Sequence, residues 1–306
     1  MPVSESVMRE IADLRGVYLP LVSILKGEPA DQTIDEARAA YIKVKARQAP
    51  PPDVVFEPVG MGGVPGLLAI PASAHEGRIL FYIHGGGYVS GGAEASKAEV
   101  GRLAKALGAR AYVPDYRLAP ENPYPVPIDD VLAAYRWLLD QGHEASSIVF
   151  AGESAGGAMV ISIMVRARNA GLPLPARGLT ISPWANLEHT GASMTNRDGI
   201  DPVVTKDTLR LLAKAFLRDT LPGDPDASPV FADVRGLPPI MVQVGENEVM
   251  MSDAIRLAEH LSNNRVRTTL EVWPGMFHVW HHFAAILSDG QEAIETAAAF
   301  LFRAYA

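Results

Sequence analysis

The stretch Gly152-Glu153-Ser154-Ala155-Gly156 constrains the fold of this chain more than any other. The apolar run 148–151 before it is typical of a buried strand, and the run 157–166 after it is typical of a buried helix. A serine between glycines at such a junction predicts a turn so sharp that only glycine fits beside it. The serine then lies at the tip, next to a helix N-terminus. Alone the pattern is weak evidence for a catalytic serine, because a glycine-rich structural turn whose serine has no catalytic role has the same sequence.

The composition excludes several classes of protein. The chain has 306 residues, 48% hydrophobic and 20% charged, which is enough for one large α/β domain or two small ones. A formal net charge of −8 without any run of lysine or arginine argues against binding to nucleic acid. Because the chain contains no cysteine, disulfides, thiolate catalysis and cysteine metal sites are excluded.

The apolar segments are too short for a membrane protein. None approaches the roughly 18 residues that a membrane span requires. The first residues also lack a basic region followed by an apolar core, so no signal peptide is visible. We therefore expect a cytoplasmic protein that does not enter a membrane.

Two helices are predicted at the start of the chain. Residues 6–25 have apolar positions at helical spacing. Thr33-x-x-Glu36 has the form of a capping box and predicts the start of a second helix, which the prolines at 50–52 end. We expect this pair to form a separate piece that packs on the rest of the chain.

From residue 54 onward, short strands alternate with helices, which predicts a mostly parallel sheet covered on both faces. The first two strands, 54–59 and 64–70, are expected to pair antiparallel. The alternation is interrupted between Trp184 and about Pro229, where one amphipathic helix, 206–217, lies among polar loops. This interruption indicates an insertion.

Acyl transfer to a serine requires a base, a group that orients the base, and donors for the oxyanion. His84-Gly85-Gly86-Gly87 ends a predicted strand about seventy residues before Ser154. Three glycines allow bare backbone N–H groups to approach a substrate oxygen. The alternative is a glycine-rich loop with a purely structural role.

His278 is the predicted base, because it lies in a loop after the last predicted strand. His281 and His282 are close to it in the sequence. One alternative is a metal site, since the three imidazoles have near-helical spacing, although no obvious motif supplies a further ligand. We expect His281 and His282 to be ordinary surface residues.

The orienting acid should lie between the strand predicted at 240–244 and the histidine. Glu246, Glu248 and Asp253 are the three carboxylates in that interval. Only one can orient the base. The others would be solvated loop charges or, for Asp253, a helix N-cap.

Four motifs in this order resemble those of the bacterial hormone-sensitive-lipase-like esterases, also called family IV carboxylesterases. They are the segments 84–87, Asp115-Tyr116-Arg117-Leu118-Ala119-Pro120-Glu121, 152–157 and Gly275-Met276-Phe277-His278. The resemblance covers most of the chain from about residue 54. It implies an α/β-hydrolase fold, a mostly parallel central sheet with helices on both faces and a helical cap. Residues 1–52 would be cap helices, and 53–306 the catalytic domain with a cap insertion at about 184–229.

The resemblance also implies the roles of individual residues. Ser154 is the nucleophile and His278 the general base. The backbone N–H groups of Gly86, Gly87 and Ala155 form the oxyanion hole. The segment 115–121 is structural support and takes no part in the chemistry.

Two positions depart from the family's pattern. Glu153 replaces the usual Asp or Thr after the first elbow glycine, and the usual acid motif Asp-Pro-Leu-x-Asp is replaced by the sequence 248–253. Aligning the apolar position two residues after the acid places Glu248 on the catalytic position, as in a subgroup that resembles monoterpene-lactone hydrolases. Glu246 and Asp253 remain alternatives.

Together these observations predict a serine carboxylic-ester hydrolase for short- to medium-chain acyl esters that needs neither cofactor nor metal. Its partner is a small-molecule ester, with no nucleic acid and no membrane. The sequence leaves the oligomeric state open, although similar esterases are often homodimers. Four aromatic residues are apolar candidates for the substrate pocket or, equally, ordinary core: Tyr88, Trp184, Phe216 and Phe277.

Other functions remain open on the same scaffold. A lactone or amide hydrolase would use the same machinery, and a dehydratase is a minor alternative. A non-catalytic ligand receptor would keep the serine turn but lose the histidine. Because His278 is present in its glycine-led loop, the sequence disfavours the receptor.

Overall fold

A single eight-stranded sheet organises the protein, whose computed structural model describes residues 3–305. In chain order the strands are β1 (Val54–Met61), β2 (Val64–Pro71), β3 (Ile79–Ile83), β4 (Arg110–Pro114), β5 (Ile148–Glu153), β6 (Arg177–Ile181), β7 (Ile240–Gly245) and β8 (Thr268–Trp273). They lie in the order β1-β2-β4-β3-β5-β6-β7-β8. β2 pairs antiparallel with β1 and β4, and the other five pairs are parallel. The predicted mostly parallel sheet and its antiparallel start are confirmed.

Two helices precede the first strand, one follows the last, and the others lie between strands. They are α1 (Glu5–Lys26), α2 (Ile34–Lys45), α3 (Lys97–Leu107), α4 (Val126–Asp140), α5 (Ala155–Asn169), α6 (Ser193–Asn196), α7 (Lys206–Leu217), α8 (Met251–Asn263) and α9 (Ser288–Phe302). The capping box that opens α2 is present, since the Thr33 hydroxyl accepts from the Glu36 N–H and the Glu36 carboxylate accepts from the Thr33 N–H. Within residues 3–305, no helix is both long and apolar enough to traverse a bilayer.

The core lies on both faces of the sheet, because alternate strand residues point to opposite sides. In β3, Leu80 and Tyr82 belong to the cluster formed with α3 and α9. Phe81, between them, belongs to the larger cluster formed with α4, α5 and α8. The five residues of β3 are all buried, as expected for a central parallel strand.

The carboxyl ends of the parallel strands share one edge of the sheet, where β5 leads directly into Ser154. The interruption predicted after Trp184 contains α6 and α7. Helices α1, α2 and α7 all contribute side chains to one cavity that reaches Ser154. The edge of the sheet therefore forms the floor of the cavity, and these three helices form its outer walls.

Candidate active site

Ser154 lies at the tip of the turn between β5 and α5. Its φ of 57° and ψ of −120° are unusual for a residue with a side chain and store local strain. The flanking glycines make this turn possible. A Cβ on Gly152 would lie 2.5 Å from the Gly156 carbonyl oxygen, and one on Gly156 would lie 2.0 Å from the Ile83 oxygen. The motif thus folds into the predicted strand–turn–helix.

The side chains of Ser154, His278 and Glu248 form one chain of hydrogen bonds. The His278 Nε2 lies 3.0 Å from the Ser154 Oγ, and its Nδ1 lies 3.0 Å from the Glu248 Oε2. Because a carboxylate can only accept, Nδ1 carries the proton, and Nε2 is free to accept from the serine hydroxyl. All three side chains are buried. This arrangement can move a proton from the serine to the imidazole.

The environment of His278 adjusts its basicity. Burial lowers the pKa of His278, whereas the hydrogen bond to Glu248 and the charge of that carboxylate raise it. Asp201 and Glu153 add to the increase, so the pKa lies above its ordinary value. The imidazolium that forms when His278 takes a proton is therefore stabilised.

Of the three carboxylates considered, the structure brings only Glu248 to His278. Glu246 is exposed, and its Oε2 accepts from the Gly275 N–H at 3.0 Å. Asp253 is buried inside α8, where Met250 is the N-cap, so the interpretation of Asp253 as a helix N-cap is wrong. Burial raises the pKa of Asp253 to about 8.

Ser182 joins the acid to the loop that carries the histidine. Its hydroxyl donates to the Glu248 Oε1 at 2.7 Å and accepts from the Val279 N–H at 3.1 Å. The Gly245 N–H donates to the same Oε1 at 2.6 Å. Sequence reasoning missed Ser182. The available signal was its position immediately after β6, at the edge of the sheet where Ser154 lies.

The glycine loop after β3 presents free backbone donors beside Ser154. Gly86 and Gly87 have φ values of 105° and 63°, and both line the cavity at Ser154. Ala155 is the first residue of α5, so its N–H has no partner within the helix. Across residues 3–305, the N–H groups of these three residues donate to no backbone or side-chain acceptor. They are thus available to a substrate oxygen.

The segment 115–121 supports this loop. Tyr116 donates from its hydroxyl to the His84 carbonyl at 2.9 Å, and its ring stacks on the His84 ring at 4.1 Å. Asp115 accepts from the Ala93 N–H at 2.6 Å. These contacts lie behind the glycine loop and agree with the structural role expected from the sequence.

A cavity of about 350 Å³ reaches Ser154 and His278. Its apolar walls come from α1, from α7 and from Met250, Val279 and Phe283. The α1 and α7 side chains are Leu14, Tyr18, Leu19, Val22, Leu209, Leu211 and Leu212. Sequence reasoning placed helices here but did not identify these side chains, because amphipathic spacing does not tell which apolar positions border a cavity.

The four aromatic pocket candidates lie elsewhere, since Tyr88, Trp184, Phe216 and Phe277 are all fully buried and none lines the cavity. Tyr88 stacks on Phe216 with ring centroids 3.7 Å apart, and Trp184 donates to the His189 Nε2 at 3.1 Å. The structure thus assigns these side chains to the core, the alternative that the sequence left open.

His281 and His282 are buried, so their interpretation as surface residues is wrong. The His281 Nε2–H donates to the Gln243 Oε1 at 2.9 Å, and the His282 Nδ1 lies 3.4 Å from the Glu99 Oε2. Each ring faces a different partner from His278. In the described part of the chain, no three His, Asp or Glu side chains are grouped as metal ligands.

Comparison with known proteins identifies the class to which this fold and site belong. A family model described as an alpha/beta hydrolase fold matches residues 80–282, more than half of the chain. The chain belongs to the α/β-hydrolase family.

The relatives narrow this class. An acetyl-hydrolase from Streptomyces hygroscopicus is 39% identical over 274 residues, which cover 90% of this chain and 89% of the relative. An esterase from Acinetobacter venetianus is 31% identical over 250 residues, covering 81% and 82% of the two chains. The crystal structure of an esterase from the bacterial hormone-sensitive lipase family superposes with a TM-score of 0.91, with 38% identity and full coverage of both chains. The protein is therefore an ester-hydrolysing enzyme of the hormone-sensitive-lipase-like group, and the predicted fold and family are confirmed.

Proposed function

We propose that this protein is a serine carboxylic-ester hydrolase that uses Ser154, His278 and Glu248 as its catalytic residues. The observation that carries the proposal is the continuous hydrogen-bond chain from Ser154 through His278 to Glu248, which opens onto the cavity. Other carboxylates near His278 in the sequence make no such contact.

The geometry supports an acyl-enzyme mechanism. His278 takes the proton of Ser154 as the serine oxygen attacks the ester carbonyl carbon. The N–H groups of Gly86, Gly87 and Ala155 hold the resulting oxyanion. His278 then gives the proton to the departing alcohol. A water molecule, activated in the same way, releases the acid and restores Ser154.

The cavity supports esters with short- to medium-chain acyl groups. Its volume of about 350 Å³ lies near the lower end of the range that small-molecule sites occupy, roughly 300–1,000 Å³. Its walls include apolar side chains from α1 and α7, which exclude water from the reacting ester. We accordingly assign α1, α2 and the insertion at 184–229 to a cap over the catalytic domain. The acetyl-hydrolase relative agrees with a short acyl group.

The test measures hydrolysis of p-nitrophenyl esters from acetate to decanoate, without added metal. Ser154→Ala should lower kcat by roughly 10⁵- to 10⁶-fold, because the nucleophile and its base act as one unit. Ser146→Ala, which changes an exposed serine, should keep the activity of the unaltered enzyme. A fluorophosphonate probe should label Ser154 alone.

Two results would contradict this proposal. One is a folded Ser154→Ala variant that keeps a tenth of the activity. The other is activity that disappears with a chelator and returns with zinc, which would favour a metal mechanism.

A further inference from the structure

A buried group of charges lies beside the cavity and takes no part in the proton transfer described above. The Lys45 Nζ lies 3.7 Å from the Glu99 Oε1 and 3.7 Å from the Glu153 Oε1. The three side chains are 7%, 3% and 5% exposed, in that order. Each belongs to a different element, since Lys45 ends α2, Glu99 is in α3 and Glu153 ends β5. Carboxylates so deeply buried require a compensating charge, and Lys45 supplies it.

Glu153 connects this group to the glycine loop. Its Oε1 accepts from the Gly85 N–H at 2.9 Å. A Cβ on Gly85 would lie 2.2 Å from the other oxygen, so the carboxylate packs directly against the loop backbone. Gly85 precedes the two donors Gly86 and Gly87, and Glu153 precedes Ser154. One carboxylate therefore fixes the distance between the nucleophile's turn and the loop that faces the oxyanion.

We propose that Lys45 is a positioning residue for ester hydrolysis, because its ammonium compensates the Glu153 carboxylate and so holds the glycine loop in place for the oxyanion. This inference rests on the proposed function. Without Lys45, an unpaired negative charge would lie next to Ser154, where more negative charge develops in the transition state. The Glu153 carboxylate, which accepts from the Gly85 N–H, would also lose the charge that holds it in place. Helix α2 thus contributes to catalysis through its charge as well as through its shape.

The effect of removing the Lys45 charge depends on the titratable groups that face it. Tyr41, Glu99, Glu153 and His282 face Lys45, and burial lowers the pKa of His282, so its ring is neutral near pH 7. Burial lowers the pKa of Lys45, but Glu99, Tyr41 and Glu153 raise it by more, so the ammonium persists.

The pH profile is a second readout. Glu248, Asp201 and Glu153 all raise the pKa of His278. Removing the charge of Lys45 leaves that of Glu153 uncompensated. The pKa of His278 should then rise further.

The experiment compares Lys45→Met and Lys45→Arg on p-nitrophenyl acetate, a substrate small enough to make few contacts with the cavity walls. For Lys45→Met we expect kcat to fall roughly 10- to 100-fold while KM changes little, as for an interaction made in the transition state. The acid limb of kcat/KM should move to higher pH. Lys45→Arg keeps the charge and should recover most of kcat. Lys43→Met, an exposed lysine of the same helix, is the matched control and should behave like the unaltered enzyme.

A double variant tests the electrostatic part directly. Lys45→Met with Glu153→Gln removes the ammonium and the carboxylate next to Ser154 and leaves Glu99 as it is in Lys45→Met alone. The amide oxygen introduced at position 153 can still accept from the Gly85 N–H. We expect its kcat to exceed that of Lys45→Met alone. If Lys45→Met does not fold, Lys45→Arg decides the question, because it keeps the charge that compensates Glu99 and Glu153 and should fold and turn over ester.

Three results would overturn the inference. They are unaltered kcat and pH profile in Lys45→Met, no recovery in Lys45→Arg, and a double variant no faster than the single one. Failure of the proposed function gives a different result, namely an unaltered enzyme that does not hydrolyse esters or a Ser154→Ala variant that still does.

Discussion

The two oxygens of the Glu248 carboxylate have different partners, one on His278 and one on Ser182 and the Gly245 N–H. A substitution at Glu248 can therefore test the effect of its charge on His278. Glu248→Gln keeps the shape but places a neutral amide against the imidazole, so it neither fixes the tautomer as well nor stabilises the imidazolium. We expect kcat to fall roughly 10³- to 10⁴-fold with little change in KM.

Glu246→Gln is the matched control for that substitution, since Glu246 is an exposed glutamate whose Oε2 accepts from the Gly275 N–H and not from His278. Its kcat should change by less than about threefold. Circular dichroism checks that both variants fold. A folded Glu246→Gln variant with the larger loss would show that the wrong carboxylate has been assigned.

Asp253 allows a prediction about stability. It is fully buried, and burial raises its pKa to about 8 against the smaller opposing effects of Arg256 and Asn186. A folded-state pKa above the unfolded value means that the stability is present at low pH and is lost as pH rises towards 8. The loss has an upper limit of about 1.4 kcal/mol per pH unit. Asp253→Asn should therefore flatten the decline in the free energy of unfolding between pH 5 and pH 8.

Urea denaturation at pH 5, 6.5 and 8 measures this effect. Asp140→Asn, which changes an exposed aspartate at the end of α4, should leave the decline as it is in the unaltered protein. Equal pH dependence in the Asp253→Asn variant and the unaltered protein would contradict the assignment of a neutral buried carboxyl group.

The sequence predicted residues whose identity is required by the local backbone conformation. It did not predict residues whose roles depend on contacts with segments far along the chain. Ser154 and its glycines are recognisable because the turn tolerates few side chains. Ser182 and Lys45 are ordinary in their local sequence, and their roles arise only when β6 and α2 meet segments far along the chain. Aromatic character alone could not separate pocket from core, which is why Tyr88 and its neighbours were ambiguous.

At the scale of elements, α1 forms one wall of the cavity through Leu14, Tyr18, Leu19 and Val22. Val22 is half-buried, so a larger side chain there has room to turn into the cavity. Val22→Trp should reduce the space available for acyl chains and lower kcat/KM for octanoate by roughly tenfold or more relative to acetate. A chain-length series from acetate to decanoate measures this ratio.

Arg9→Trp places the same ring on an exposed position of α1 and serves as the control. Its chain-length preference should match that of the unaltered enzyme. An unchanged preference in Val22→Trp would show that this helix does not bound the acyl site.

Elements with strong local signals were predicted with accurate bounds. The helix predicted over 6–25 is α1, Glu5–Lys26, and the one predicted over 206–217 is α7, Lys206–Leu217. Helix α6 has only four residues and was missed, because a single turn shows no periodicity. The order of the strands in the sheet depends on long-range pairing and also lies beyond what the pattern determines.

At the scale of the whole molecule, the segment 184–229, which we propose to be part of a cap, contributes a charge beside Glu248. Asp201 is buried, and its carboxylate accepts from the Val249 N–H at 3.3 Å, next to Glu248. Burial raises the pKa of Asp201 to about 6, so its carboxyl group is mostly ionised at pH 7. Its negative charge favours the protonated form of His278 and raises the pKa of that imidazole.

Asp201→Asn should therefore shift the acid limb of kcat/KM to lower pH, because His278 then releases its proton more readily and becomes an active base sooner. The measurement is kcat/KM between pH 5 and pH 9. Asp198→Asn, an exposed aspartate of the same insertion, is the control and should show no shift. An acid limb that moves to higher pH in Asp201→Asn would contradict this account of the site's electrostatics.

The hydrogen-bonded pair formed by Ser154 and His278 spans 124 positions of the chain. During synthesis the turn that carries Ser154 leaves the ribosome long before His278 has been made, and α9, which covers the sheet together with α3, follows His278 in the chain. With His278 as the proposed base, ester hydrolysis can begin only after residue 278 has been made and has folded against Ser154. A ribosome stalled before codon 278 therefore carries an inert chain.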